Sequence, residues 1–473
     1  MAVQSQSVEV EAGPTKRFFV EMLTRDIDLE DAILDLLDNC IDGVVRQTAN
    51  DRRSTRPYES YWAEITLSPD RFVILDNCGG IPRDIAREKA FMLGRPDLER
   101  DKDLETVGMY GIGMKRAIFK MGRQCVVTSK PNSKAFKVTI PKSWFSRDDD
   151  WKLVMKDVTT DLEEAGTRIE ITELLPMIKV SFDESENSFV DRFKKEVSRL
   201  YAIIINKGFT VKVNDETIRP AKLAILAPAK IRPNSRSAIA PYAFKGTVEG
   251  VHVKLSVGFH RPLVTEAELD EERVSRRGRN VAGWTVICND RVVLYADTSR
   301  ITGWGTANVP SFHNQFRSIA GIVSFRSNDS LLLPLNTTKR GLDTSSPAYL
   351  YVLDIMREGT KQFTSYTNKW KAREAETLPQ FADLERKTAS EIVASIPSES
   401  WKTVKRGGNG VSAKKFIPNL PSPPERSATR RIVFSRKKDD IDTVAEHLFG
   451  DTSVEPSEVG ARCFDNYLEE AES

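Results

Sequence analysis

The chain has 473 residues, 40% hydrophobic and 29% charged, with a formal net charge of +2. This is ordinary globular composition at a length that suits two to four domains, which excludes collagen-like, mucin-like and wholly disordered classes. The near-neutral total charge singles out no polyanionic partner, and the longest apolar runs, such as 200–205, fall far short of the ~20 residues of a membrane helix, so no membrane association is expected.

In chain order, Ile33, Leu36, Leu37, Cys40, Ile41 and Val44 recur at helical spacing and predict a helix over 27–45. Strands are predicted at 61–67 and 71–75, then a short helix over 82–93 with Pro82 near its start. Residues 95–107 are polar and irregular and read as a loop. A glycine-opened helix is predicted over 112–121, and strands at 125–129, 136–140, 151–158 and 167–172. Strands and helices do not alternate strictly, so the fold class expected is α+β.

A second unit is predicted after a helix over 189–205. Hairpins are expected at 209–219, around Asn214-Asp215, and at 284–295, around residues 289–291, with an alternating strand at 251–259 between them. The loop 273–279, bounded by Arg273 and Arg279, is strongly basic. Helices are predicted over 348–372 and 378–396. Residues 402–438 then hold eleven Lys/Arg against one acid, and 439–473 hold eleven acids against one Arg. The basic stretch, punctuated by Pro and Gly, reads either as a solvated tether that pairs with the acidic tail or as a phosphate-backbone contact. The domains expected are 1–185, 186–346, a helical segment 347–400, a basic linker 401–430 and a small acidic unit 431–473.

Residues 1–13 lack the basic and apolar regions of a secretion signal. The five cysteines are scattered and odd in number, without CxxC spacing, which points to a reducing compartment; a cytoplasmic or nuclear protein is expected. None of the four histidines has metal-ligand spacing.

Four constellations carry chemistry. Asp35, Asp38, Asn39 and Asp42 share one face of the first long helix. Such a stripe is ordinarily a solvated face, but Asp and Asn are poor helix formers, and carboxylates without an intervening cation repel. A divalent cation would compensate them. Asp76-Asn-Cys-Gly-Gly-Ile81 follows a strand directly and suits the close approach of a flat ligand; read alone, it is a strand-to-helix turn. Gly108-Met-Tyr-Gly-Ile-Gly-Met-Lys115 opens a helix, where backbone N–H groups, the helix dipole and Lys115 favour phosphate. It is neither a Walker A sequence nor a clean dinucleotide fingerprint. Gly166-Thr167 leads into a strand.

Together, and in this order, the four resemble the N-box, the two glycine boxes and the late Gly-Thr motif of the GHKL ATPase superfamily. That superfamily includes type II topoisomerase ATPase subunits, the large heat-shock chaperone, sensor histidine kinases, MutL and MORC proteins. The resemblance implies a Bergerat-type ATP-binding α/β sandwich over about residues 1–185, taking ATP with Mg²⁺. It implies that Asn39 ligates Mg²⁺, that Asp76 accepts the adenine amino group with Gly80 and Ile81 against the base, and that Thr167 supports that contact. Gly108, Gly111, Gly113 and Lys115 would hold the phosphates, with 95–107 as a lid. Hydrolytic relatives usually carry Glu four residues before the Asn. Asp35 stands there, about 1.3 Å shorter in reach, and is the candidate general base. Asp38 is the second candidate, and Asp42 is expected to pair locally.

The run Leu333-Pro-Leu-Asn-Thr-Thr-Lys339-Arg340 resembles the transducer loop of MutL- and MORC-type proteins, so a smaller α+β transducer domain is implied. There Lys339 would reach the terminal phosphate, with Arg340 as second candidate; without the resemblance, Lys339 is a surface lysine. Histidine kinases lack such a domain. The implied behaviour is an ATP-controlled homodimeric clamp in which residues 1–19 exchange between protomers. DNA would be held through Arg273, Arg279 and the basic linker, in repair, silencing or antiviral defence. The alternatives are a nucleotide-gated scaffold with little hydrolysis and a chaperone-like client binder.

Overall fold

In the computed structural model the predicted apolar stripe forms α2 (Leu29–Gln47), which follows α1 (Lys16–Arg25). Thr15 caps α1 by accepting the Phe18 N–H at 3.2 Å. The structure describes residues 15–49, 55–92, 94, 104–106, 111–132, 134–147, 150–183, 189–231, 239–265, 268, 281–336, 338–404, 411–424 and 432–472. Gly108, Arg273, Arg279, most of 95–107, the segment 1–14 and parts of the basic linker lie outside them.

The first sheet is built from β1 (Trp62–Leu67), β2 (Phe72–Asp76), β3 (Gly122–Lys130), β4 (Phe136–Ile140), β5 (Val154–Asp157), β6 (Gly166–Leu174), β7 (Thr210–Val213) and β8 (Glu216–Thr217). Its order is β5-β4-β3-β6-β2-β1-β7-β8. Period-two patterning decides its faces: Ala63, Ile65 and Leu67 of β1 are buried, while Thr66 between them is exposed. α2 packs on α3 (Gly113–Met121), and the two helices contact β2, β3 and β6. The fold is thus mixed α+β, with a large mixed sheet, as expected for an ATP-binding α/β sandwich followed by further structure.

The hairpin at 209–219, which the sequence places in the second unit, completes this first sheet instead. β7 runs parallel to β1, from Trp62↔Thr210 to Ile65↔Val213, because buried Val211 and Val213 continue the apolar row of Ala63 and Ile65. Two helices, α4 (Phe189–Leu200) and α5 (Ala202–Asn206), precede that hairpin and pack against the edge strand of the second sheet.

The second sheet has the order β13-β12-β14-β11-β10-β17-β16. Its strands are β10 (Tyr242–Val248), β11 (Val251–Phe259), β12 (Gly283–Cys288), β13 (Arg291–Asp297), β14 (Ile319–Arg326), β16 (Lys402–Thr403) and β17 (Val411–Phe416). β9 (Ile225–Pro228) pairs separately with β15 (Leu384–Lys387). Phe244, Val253, Leu255 and Val257 pack in one core with α6 (Pro347–Lys369). On the other face, Ala243, Ile322 and Phe416 join α7 (Ala389–Ser395) in the core that also holds α2 and the first sheet.

Two expectations are corrected here. The helix predicted over 378–396 breaks at β15, and α7 starts afresh with a capping box. The Thr388 hydroxyl accepts the Glu391 N–H at 3.3 Å, and the Glu391 carboxylate accepts the Thr388 N–H at 2.7 Å. The basic linker also contains β16 and β17, held in the ladder by pairing with β10 and by buried Ala413 and Phe416.

Residues 423–473 are a separate compact unit. There α8 (Lys438–Phe449), ended by Gly450 at φ +67°, packs on α9 (Pro456–Glu472), and Ala445 and Val459 are buried. Among the described residues no helix is long and apolar enough to cross a membrane.

Candidate functional site

The acidic stripe of α2 is not a solvated face. Asp35, Asp38 and Asp42 are buried, at 4%, 2% and 3% exposure, whereas Asn39 is exposed. Buried carboxylates need counter-charges, and the chain itself supplies them. Arg116 of α3 donates to Asp35 Oδ2 at 2.5 Å. Lys339 donates to Asp38 Oδ2 at 2.9 Å, and its Nζ lies 3.3 Å from Asp35 Oδ1. Arg291, at the start of β13, and the Tyr201 hydroxyl donate to Asp38 Oδ1 at 2.9 and 2.7 Å. The Arg291 guanidinium also sits over the Tyr201 ring, 4.3 Å from its centroid. Burial alone would raise the Asp38 carboxyl, but Lys339 and Arg291 outweigh it and hold the group at about 2. Neighbouring Arg340 lies within ion-pair distance of Asp31, Glu30 and Glu196, at 3.2, 3.8 and 3.4 Å. For Asp35 and Asp38, then, Arg116, Lys339 and Arg291 supply the counter-charge that the sequence suggested a divalent cation would provide.

The second cluster lies at the end of β2. Asp76 pairs in register with Thr167 of β6. Its Oδ1 accepts the Cys78 N–H at 2.8 Å, and its Oδ2 accepts the Cys40 thiol at 3.5 Å. Burial pushes its carboxyl up to about 6. Gly80 sits at φ +68°, and a Cβ there would meet the Lys130 carbonyl at 2.7 Å, so the turn admits only glycine. Ser129 ties this corner together: its hydroxyl accepts the Ile81 N–H at 2.7 Å and lies 3.3 Å from the Thr167 hydroxyl.

At the start of α3, Gly113 packs directly on Asp35. A Cβ there would fall 3.1 Å from the Asp35 Cγ. Buried Lys115 donates to the carbonyls of Ala90, at 3.1 Å, and Gly111, and burial draws its amine down to about 8. Residues 104–106, the described end of the segment expected to form a lid, are anchored on the second sheet. Arg326 pairs with Glu105 at 2.6 Å, and the Asn289 amide donates to the Thr106 carbonyl at 3.2 Å.

The Asp-Asn helix, the aspartate at the strand end and the glycine-opened helix all fall within the stretch that resembles a known family. Residues 27–172 match the family described as histidine kinase-, DNA gyrase B- and HSP90-like ATPase. That stretch is similar to GHKL ATPase domains. No curated protein matches the chain. The GHKL assignment supports ATP binding and an ATP-hydrolase function. Among the described residues no three acidic, His or Cys side chains converge on a metal position. Mg²⁺ keeps several waters and usually takes one or two protein ligands beside substrate phosphates, so the exposed Asn39 amide fits it.

Of the expected site residues, the fold brings Asp35, Asn39, Gly113 and Lys339 to α2, and Asp76, Gly80, Ile81 and Thr167 to the end of β2. It turns Lys115 toward main-chain carbonyls. Arg116, Ser129, Tyr201 and Arg291 escaped the sequence reading. Arg116 had one signal: it adjoins Lys115, one helical turn beyond Gly113.

Proposed function

We propose that the chain binds ATP with Mg²⁺ between α2 and the end of β2 and hydrolyses it, and that the nucleotide state governs closure of its two halves and dimerisation. In this reading Asn39 ligates Mg²⁺, which would screen the phosphate charge, and Asp76 accepts the adenine amino group with Gly80 and Ile81 beneath the base. Thr167 supports that acceptor. Gly111 and Gly113, with Gly108 in the sequence pattern, would hold the phosphates, and Lys115 would join them by giving up the carbonyls of Ala90 and Gly111. Lys339 leaves Asp35 and Asp38 for the terminal phosphate, freeing Asp35 Oδ1 to take a proton from the attacking water.

The observation that carries the reading is the seat of Lys339. A lysine 301 residues from Asp38 in sequence is buried on the helix that bears the candidate base and metal ligand. It is supported by the anchoring of Glu105 and Thr106, which links the lid segment to the same second sheet.

The test is steady-state ATP hydrolysis and nucleotide binding, with oligomeric mass followed by light scattering. Wild type is expected to turn over, and its mass to double with a non-hydrolysable analogue. Asn39→Ala should lose Mg²⁺-dependent binding. Lys339→Ala should bind ATP, turn over about ten-fold or more slowly, and stay monomeric. A wild type that binds no ATP would sink the reading.

A second expectation concerns pH. Because the Asp76 carboxyl lies at about 6, it gains a proton as pH falls through that value and loses the charge that receives the adenine amino group. ATP affinity should therefore weaken from about pH 7 to about pH 5 in wild type, and Asp76→Asn should bind weakly with a flat profile. An equally steep profile in that variant would assign the proton elsewhere.

One observation favours a second reading, a nucleotide-gated scaffold with little hydrolysis: both Asp35 oxygens face cations.

A further inference from the structure

On one face of the second sheet, three lysines stand directly opposite one another across adjacent strands. Lys245 of β10 pairs in register with Lys254 of β11 on one side and with Lys414 of β17 on the other. Directly paired residues project to the same face, so the ammonium groups form one row. Lys254 and Lys414 are exposed and Lys245 is half-buried, its Nζ 4.2 Å from the Trp401 ring centroid. None of the three makes an ion pair among the described residues. Thr403 and Ser324 flank the row; on one side Ser412, Thr247, His252 and Arg326 form the next row, and on the other Phe416, Ala243 and Ile322 begin the core shared with α7, so the lysines line the edge of that covered face.

Like charges opposite each other destabilise a ladder. The opposite face of these strands shows the contrast: Lys415, on β17, is paired with Glu358 of α6 at 2.6 Å. A row of cations with no counter-charge costs the fold stability unless something else meets it. Neighbouring strands lie about 4.8 Å apart, so three of them span roughly 10 Å. Over such a length a nucleic-acid duplex presents about six phosphates. The face has no exposed Phe, Tyr or Trp among the described residues, and single strands are held largely by stacking on such side chains.

The geometry points to the Lys414–Lys245–Lys254 row as a docking surface for the phosphate backbone of a nucleic-acid duplex. The site includes none of the basic loop bounded by Arg273 and Arg279, which falls outside the described residues, and it does not depend on the nucleotide reading.

The test is fluorescence anisotropy of a short labelled DNA duplex of arbitrary sequence, titrated at several salt concentrations with wild type and with K245Q/K254Q/K414Q. Each phosphate contact contributes about 0.9 to the slope of log affinity against log salt. The triple variant should lose a slope of about 2.7 and bind about ten-fold or more weakly at low salt. Its thermal midpoint should not fall, since like charges have been removed, and its ATP turnover without DNA, measured on the same samples, should match wild type. An unchanged slope and affinity would overturn the proposal, as would a wild type that binds no duplex. So would displacement of the duplex by polyglutamate or by single-stranded DNA at equal charge, since the surface would then serve another ligand.

Discussion

Asp35→Asn is expected to lower ATP turnover by about 10²–10⁴-fold while leaving nucleotide binding in place, the size of effect typical of losing a positioned general base. The asparagine is nearly isosteric, so it still packs against Gly113 and still offers Arg116 an acceptor. What it lacks is the basic oxygen that Lys339 now covers. The comparison that decides between the two functional readings is Asp35→Glu. If wild type hydrolyses slowly and the glutamate raises the rate, the short carboxylate held between Arg116 and Lys339 is a brake, and the scaffold reading stands. If wild type turns over well and Asp35→Asn matches it, Asp35 is not the base.

Asp38→Ala is expected to be the most destabilising single change near the site. It would leave Lys339 and Arg291 buried without their shared partner, and breaking one side of such a network costs about 3–5 kcal/mol. A loss of that size lowers a thermal midpoint by on the order of 10 °C, readable by calorimetry. The pH dependence has a definite sign. The folded carboxyl is held at about 2, below its ordinary 3.8, so its contribution is fully present above the ordinary value and is lost only as pH falls through about 2. The stability gap between wild type and Asp38→Ala should therefore stay open down to about pH 3. A gap that closes near neutrality would mean that Asp38 is not the carboxylate holding the two cations.

What the sequence made legible was local. The stripe from Ile33 to Val44 gave α2, and the order of the Asn39, Asp76, Gly111–Gly113 and Thr167 motifs gave the family. The counter-ions were not legible, because Arg116, Arg291 and Lys339 lie 81, 253 and 301 residues from the carboxylates they meet. No periodicity records such a pairing. The carboxylate repulsion on α2 was correctly recognised, but a stripe of acids cannot tell whether metal or arginine answers it. In 378–396, Phe381, Ile392 and Ile396 imitate one helical face, although Thr388 and Glu391 stand at capping-box spacing and announce a new start. For 209–219 the turn chemistry gave the hairpin, but nothing local names β1 as its neighbour.

That last pairing bears on how the chain can be divided. The segment that matches the ATPase family ends at residue 172, whereas the sheet it contributes to ends at residue 217. Without β7 and β8, the main-chain donors and acceptors along one side of β1 would become an open, adhesive rim. The matched segment is therefore shorter than the sheet it belongs to. Any swap, shuffle or truncation that treats the second half as an interchangeable attachment has to leave residues 210–217 with the first.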